Sequence, residues 1–418
     1  METEAPPSSV HANNDNGKRA TLDDDDDDRF SALPDDVLLL ILERVDLLTA
    51  VRAGAAARRW RHLPRLLIDL DIDVATLLPH RHRYFSVGHV MAAYADATAW
   101  FLPPPPHHRN ITSLRLSFYL AEGPHLRAIG DAVAAAKADR VQLDIRTTYV
   151  GLTSPSITIP DDIHEHVGCS HLLASFVAAC PAAFARLTSL ALHDLSFPSG
   201  SNELSGLLNA CHRLELLSLS HCTPSLLEID APSSGLLSLE LHCCSVHSVE
   251  LSRVPKLERL LCDAATSIGT IRFGSVPRLR AVDISAMHLH RYIENPALLS
   301  PALSGLRDVR LCNFVALDMH WILHLLQAAP LLNNLSIQML PCWFSNGGLY
   351  KSGKEEKMPN VKHHNLTSLE IKANRISKDA NVKHYIGLIR ECAACLKRIR
   401  LLEQCDTLYL NCSQVQQS

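Results

Sequence analysis

Residues Leu33 to Val45 read LPDDVLLLILERV and place apolar side chains at Val37, Leu38, Ile41, Leu42 and Val45, with Leu39 and Leu40 widening the band. Positions spaced i, i+3, i+4 and i+7 share one side of a helix, so this stretch predicts a short amphipathic helix. Ser31 is placed to cap it, Pro34 suits its first turn, and Asp35 and Asp36 complement the positive end of its dipole. A second helical run, LLTAVRAGAAARRWRHL, stops before Pro64. The helical pattern extends from Arg29 to about Asp73. Helices this short bury little surface between them, so the first needs another surface to cover it: the rest of the chain, as an N-terminal cap, or another protein.

From about Ile111 the period changes to a recurring L-x-x-L-x-L. Copies begin at Ile111, Leu187, Leu214, Leu236, Leu257, Leu279, Leu306, Leu332, Leu366 and Leu396, with a weaker one, ADRVQL, at Ala138. Each reads as a strand with alternate residues buried, and the series as a solenoid. The copies at 214, 236, 257 and 279 stand 21–22 residues apart, and half-step copies lie between them: SLLEI from Ser225, VHSVEL from Val246 and IGTIRF from Ile268. Those half-steps predict strands on the opposite, convex side. Elsewhere the convex side reads as helix, in HLLASFVAAC from His171, LSGLLNAC from Leu204, HWILHLLQAA from His320 and HYIGLIRECAAC from His384. Cys222, Cys244 and Asn374 fall where such repeats use a side chain to satisfy backbone groups between turns. The fold class is therefore α/β: a short helical module, then a leucine-rich solenoid with a curved parallel sheet and a convex side part helix and part strand.

Three stretches interrupt this pattern. FLPPPPHH, Phe101–His108, predicts a stiff connector. TSPSITIPDDIHEHVGCSH, Thr153–His171, reads as an insertion loop or hairpin, and GGLYKSGKEEKMPN, Gly347–Asn360, as a polar loop. The predicted divisions are an acidic disordered tail over 1–28 that ends in six aspartates, the helical module over 29–75, a connector over 76–110 and the repeats over 111–410.

Composition narrows the function classes. A net charge of −4 gives no general pull toward nucleic acid or membrane. The first twenty residues lack the apolar segment of a signal peptide, and no apolar run approaches the roughly 20 residues of a membrane helix. Thirteen scattered cysteines suit a reducing compartment, cytoplasm or nucleus. The sequons at Asn110, Asn334, Asn365 and Asn411 then read as coincidental, the first three standing where a glycan obstructs packing. Cys392 and Cys395 form a lone C-x-x-C without a second pair, and His242, Cys243, Cys244 and His247 alternate between strand faces, so no metal or other cofactor is expected. No nucleophile elbow, phosphate loop or paired catalytic motif occurs, which argues for a binding protein and against an enzyme.

An apolar helical module of about 45 residues ahead of repeats such as LELLSLSHC and LLSLELHCC resembles the plant F-box/leucine-rich-repeat family. The F-box resemblance spans roughly Phe30–Pro64, the repeats cover most of the chain from about 111, and residues 365–405 look like the C-terminal FBD unit of many plant members. The resemblance implies that the F-box docks on a Skp-type adaptor of a cullin–RING (SCF-type) ubiquitin ligase while the repeats hold a protein substrate. It assigns Leu33 and Pro34 to the family's opening Leu-Pro at the adaptor interface, Val37, Leu38, Ile41 and Leu42 to its first helix, and Val51 and Trp60 to later apolar positions, Trp60 serving mainly the module's own packing. Two departures stand out. Asp46 replaces a frequent Pro, and GAAA, Gly54–Ala57, replaces larger residues and so predicts weakened adaptor contact, at about 0.8 kcal/mol per lost methylene.

Substrate contacts are expected from the outward positions of the inner strands: His193, Ser220, His242, Asp263, Ser285 and Cys312, beside Glu240, Asp283 and Arg310. That surface is mixed in sign and lacks the basic stripe of a nucleic-acid binder. Two other readings stay open: an interaction scaffold with a degenerate F-box outside ubiquitination, and a small-molecule-sensing F-box receptor.

Overall fold

The computed structural model describes residues 33–77, 87–102, 110–121, 124–147, 163–197, 203–223, 226–246, 248–263, 270–285, 300–314, 319–339, 362–373 and 380–403. The acidic run Asp23–Asp28, Ser31, the prolines at 103–106, the polar stretch Gly347–Asn360 and Asn374 lie outside them.

The described residues start with three short helical pieces: α1 (Asp35–Leu42), α2 (Leu47–Ala56) and a 3₁₀ segment, η1 (Arg58–Leu66). Asp46 caps α2, its carboxylate accepting from the Thr49 backbone N–H at 2.9 Å and from the Thr49 hydroxyl at 2.7 Å. The residue standing in place of proline therefore starts a helix.

Next comes a twelve-stranded parallel sheet: β1 (Asp69–Asp73), β2 (Ile111–Tyr119), β3 (Ala138–Arg146), β4 (Ser189–His193), β5 (Leu216–Ser220), β7 (Ser238–His242), β9 (Arg259–Asp263), β11 (Ala281–Ser285), β12 (Asp308–Phe314), β13 (Asn334–Met339), β14 (Ser368–Ala373) and β15 (Arg398–Glu403), in that spatial order. The missing numbers are the half-step copies. β6 (Leu226–Asp230), β8 (Ser248–Arg253) and β10 (Thr270–Ser275) pair with one another in a separate three-stranded parallel sheet on the other side of the core. A turn of 21–22 residues holds two strands of five or six residues and two corners but no helix. Where the spacing is longer, helices return: α5 (Pro124–Ala135), α6 (Ile163–Ala179), α8 (Glu203–Ala210), α10 (Met319–Ala328) and α11 (Ala380–Cys392). α8 touches β6, and the short helix α9 (Ser300–Leu303) touches β10, so both edges of the small sheet have a helix beside them.

Within β4, β5, β7 and β11 the second and fourth residues are buried and the odd ones half-exposed, as alternation predicts. Buried leucines fill the interior: Leu190, Leu217, Leu239 and Leu260 stand in register and are fully buried. The scarce aromatics concentrate at the first turns, where Phe118, Phe176 and Phe184 follow one another at 6.1 and 5.0 Å between ring centroids.

Two expectations change. The helical pattern stops short of Asp73 and the repeats begin before Ile111: Asp69–Asp73 is the first strand of the sheet and pairs with β2. Leu67, Leu70 and Ile72 are a further L-x-x-L-x-L, each buried. The stretch read as a connector carries α3 (Val74–Leu77) and α4 (Val87–Phe101), and Tyr94 of α4 donates to the Ile72 carbonyl at 2.7 Å. Likewise, the described part of Thr153–His171 is neither loop nor hairpin, because α6 begins at Ile163.

Before β14 a buried histidine replaces a backbone partner. The ring of His363 is 3 % exposed, its Nε2 donates to the Ala329 carbonyl at 2.9 Å, and its Nδ1 accepts from the Leu366 and Asn365 N–H groups at 3.0 and 3.3 Å. His363→Ala is expected to cost about 2 kcal/mol, because buried donors and an acceptor lose their partners. A urea midpoint equal to wild type at neutral pH contradicts this.

Candidate partner-binding surfaces

Helix α1 has two apolar sides. Leu38 and Leu42, one turn apart, are 2 and 4 % exposed and pack inward. On the other side Val37, Leu40 and Ile41 are 38, 61 and 40 % exposed, and Val45, just past the helix, is 40 % exposed. Pro34 at the helix start is exposed and Leu33 half-buried. A contiguous apolar stripe left in water marks an interaction surface.

The stripe is held in place from behind. Arg59 on η1 donates through Nη2 to the Leu33 carbonyl and to Asp35 Oδ1, both at 2.8 Å, and His62 Nε2 lies 3.5 Å from Asp35 Oδ2. These contacts tie the start of α1 to a segment over twenty residues away. Gly54 of α2 is buried, and a Cβ there would stand 3.1 Å from both Pro64 Cγ and the Trp60 carbonyl oxygen. The close approach of α2 to η1 leaves room at this position for little more than a single added carbon.

The structure accordingly redistributes the predicted adaptor residues. Pro34, Val37 and Ile41 lie on the outward side, with Leu33 half-buried at its edge and packed on the core. Leu38 and Leu42 are interior, and Val51 and Trp60 are half-buried side chains packed on the core. Leu40 and Val45, absent from the predicted set, join the stripe. Their signal was present in the helical wheel, since Val37, Leu40 and Ile41 are i, i+3 and i+4.

The second surface is the open face of the long sheet. Strand register places His193, Ser220, His242, Asp263, Ser285 and Cys312 in one row, and Glu240, Asp283 and Arg310 in the next, with Leu261 between the two acids. Arg310 reaches Asp283 at 3.5 Å, and His242 reaches Glu240 at 3.4 Å. Burial raises the Asp283 carboxyl, opposed by Arg310 and assisted by Asp263. Cys222 and Cys244 stand at the corners as expected of the repeat. The Cys222 thiol donates toward the Leu192 and Ser220 carbonyls, the Cys244 thiol toward Leu219 and His242, at 3.3–3.5 Å. Cys244 is thereby occupied within the repeat, and His247 lies outside the described residues. His221 and Cys243, just before these corners, and Asp194, just past β4, have left-handed backbones at φ 54, 51 and 58°, and each passes its N–H to the carbonyl of the next strand's end.

One polar knot on this face was not foreseen. Asp144 of β3 lies 3.0 Å from His193 Nε2 and 3.1 Å from Arg146 Nη2, with the Ser117 hydroxyl at 3.5 Å. No local spacing signals it, because Asp144 and His193 meet only through strand register. Burial pushes the Asp144 carboxyl up, but the adjacent His193 ring and the hydrogen-bonded Arg146 guanidinium outweigh it and hold the pKa at about 2, against 3.8. The depressed value means that its stabilisation is present above about pH 4 and is lost as pH falls from 4 toward 2. With the side chain 23 % exposed, wild type is expected to lose roughly 1 kcal/mol more than Asp144→Asn between about pH 6 and 3. Parallel urea midpoints of the two proteins across that range contradict the assignment.

Between the helical module and the first strands runs an open groove of about 540 Å³, lined by apolar side chains such as Leu42, Val45, Leu47 and Leu67 and by polar ones such as Asp69, Asp71, Arg115, Arg140 and Gln142.

Comparison with known proteins agrees with this division. An F-box domain model matches residues 30–68, the span of α1, α2 and η1, and the model described as FBD-associated F-box protein At5g56370, LRR repeats, matches residues 157–337. No curated protein matches the chain. An F-box ahead of leucine-rich repeats, on a parallel-strand solenoid, matches the F-box/leucine-rich-repeat family.

Proposed function

We propose that this protein is a non-catalytic substrate-recognition subunit of an SCF-type cullin–RING ubiquitin ligase, working in the cytoplasm or nucleus. The outward side of α1, from Leu33 and Pro34 through Val37, Leu40, Ile41 and Val45, binds a Skp-type adaptor. The open face of the sheet, around His193, Ser220, Glu240, His242, Asp263, Asp283 and Arg310, binds a protein substrate. The carrying observation is the exposed apolar stripe on a helix whose other side is already buried by its own module. Ubiquitin transfer is then promoted by holding the substrate near the ligase, with no chemistry on this chain. The test is reconstitution: purified full chain mixed with a Skp-type adaptor is expected to elute as a one-to-one complex. Failure to form it at micromolar concentration, with the chain folded, overturns the reading in favour of a scaffold acting outside ubiquitination.

The small-molecule reading has one observation in its favour, an open groove beside the F-box lined by both apolar and charged side chains. A ligand there bridges the F-box and the first three strands and raises the melting temperature of the full chain.

A further inference from the structure

A 3₁₀ helix has three residues per turn, so residues three apart stack on one side. This sorts η1, RRWRHLPRL, into three sides. Trp60, Leu63 and Leu66 face the core. Arg59, His62 and Arg65 are engaged, the first two at Asp35 and the third 5.3 Å over the Trp100 ring. The last side begins with Arg58 and Arg61, both exposed, and neither makes an ion pair or side-chain hydrogen bond among the described residues. Pro64, which completes that side, is buried.

We infer that Arg58 and Arg61 form an anion-docking surface whose occupant is the chain's own acidic run, Asp23–Asp28. Charge complementarity carries this. Between Leu33 and Ile68 there are six arginines against four carboxylates, while residues 1–32 carry nine carboxylates against three basic residues. Reach permits it. Asp28 precedes Leu33 by five residues, at most about 17 Å of extended chain. The Leu33 carbonyl is bonded to Arg59, the neighbour of Arg58. Six adjacent aspartates repel one another, and two guanidiniums at that distance relieve the repulsion, each able to grip a carboxylate with two N–H groups. The short tether makes the encounter intramolecular, at an effective concentration on the order of millimolar. The contact is exposed and therefore yields to salt. It lies beside the start of α1, so an acidic partner surface approaching the arginine pair must displace the run.

The test uses the full chain and no adaptor, so it stands apart from the proposed function. In Arg58→Lys with Arg61→Lys, a carbodiimide joins a lysine amine only to a carboxylate in contact. Peptide mapping is expected to find a link from residue 58 or 61 into Asp23–Asp28. Its yield should be independent of protein concentration and fall about fivefold at about 0.5 M salt. Absence of the link overturns the inference. So does a yield that rises with protein concentration, which makes a second copy the occupant. So does an undiminished total yield at 58 and 61 when Asp23–Asp28 are all replaced by asparagine.

Discussion

Leu40→Asp combined with Ile41→Asp is expected to abolish capture of a Skp-type adaptor while leaving the protein folded. Leu40 is 61 % and Ile41 40 % exposed, so in the free chain the carboxylates meet water and cost little. In the proposed complex they occupy the apolar stripe assigned to the adaptor. Burying a leucine or isoleucine side chain stabilises by about 1.5–3 kcal/mol, and desolvating an unpaired carboxylate costs more still. The loss is therefore at least a hundredfold in affinity. Leu38→Ala and Leu42→Ala separate surface from interior. Both side chains are almost fully buried, so these variants lose about 2–4 kcal/mol of F-box stability through the cavity left behind. Their binding falls only in proportion to the unfolded module, which circular dichroism and a urea titration measure. An aspartate double variant that binds within twofold of wild type shows that the stripe is not the interface.

The contrast between Leu38 and Leu40 shows what could be read from the residues before the structure. A run of LLLIL has apolar side chains all round, so periodicity announces the helix without saying which side faces in. The direction is set by Arg59, which holds the start of α1 to η1 by a contact across 24 residues, and by Gly54, which brings α2 against Pro64 and Trp60. Neither contact has a local pattern. The repeats were more legible because a strand has only two sides and each solenoid turn repeats the choice. The half-steps at 225, 246 and 268 were enough to place a second sheet, since 21–22 residues leave no room for a helix. The first strand, β1, was missed because its alternation, DLDID, spans only five residues close behind a helical stretch. The Asp144 and His193 pair lay beyond reading, since the two residues meet only when consecutive turns stack.

The same packing reverses the meaning of GAAA, and the last prediction follows from it. On sequence alone the small residues look like surrendered adaptor contact, so larger apolar side chains there should strengthen binding. The structure divides the four positions. Ala55 and Ala56 are exposed and Ala57 half-buried, whereas Gly54 is buried, with the carbonyl of Trp60 and the ring of Pro64 3.1 Å from where its Cβ would stand. A carbonyl in a packed turn and a proline ring have little freedom to withdraw. Gly54→Leu therefore forces α2 off η1, loosens the base on which α1 sits, and costs at least about 3 kcal/mol of F-box stability, at the upper end for overpacking. Adaptor capture is lost with it. Gly54→Ala adds one carbon at a distance that a shift of a few tenths of an ångström accommodates, and alanine favours the helix by roughly 0.5–1 kcal/mol, so that variant stays near wild type. Ala56→Leu leaves stability unchanged within about 0.5 kcal/mol. A folded Gly54→Leu protein that binds adaptor more tightly than wild type restores the first reading and shows that α2 and η1 are not locked together by this glycine.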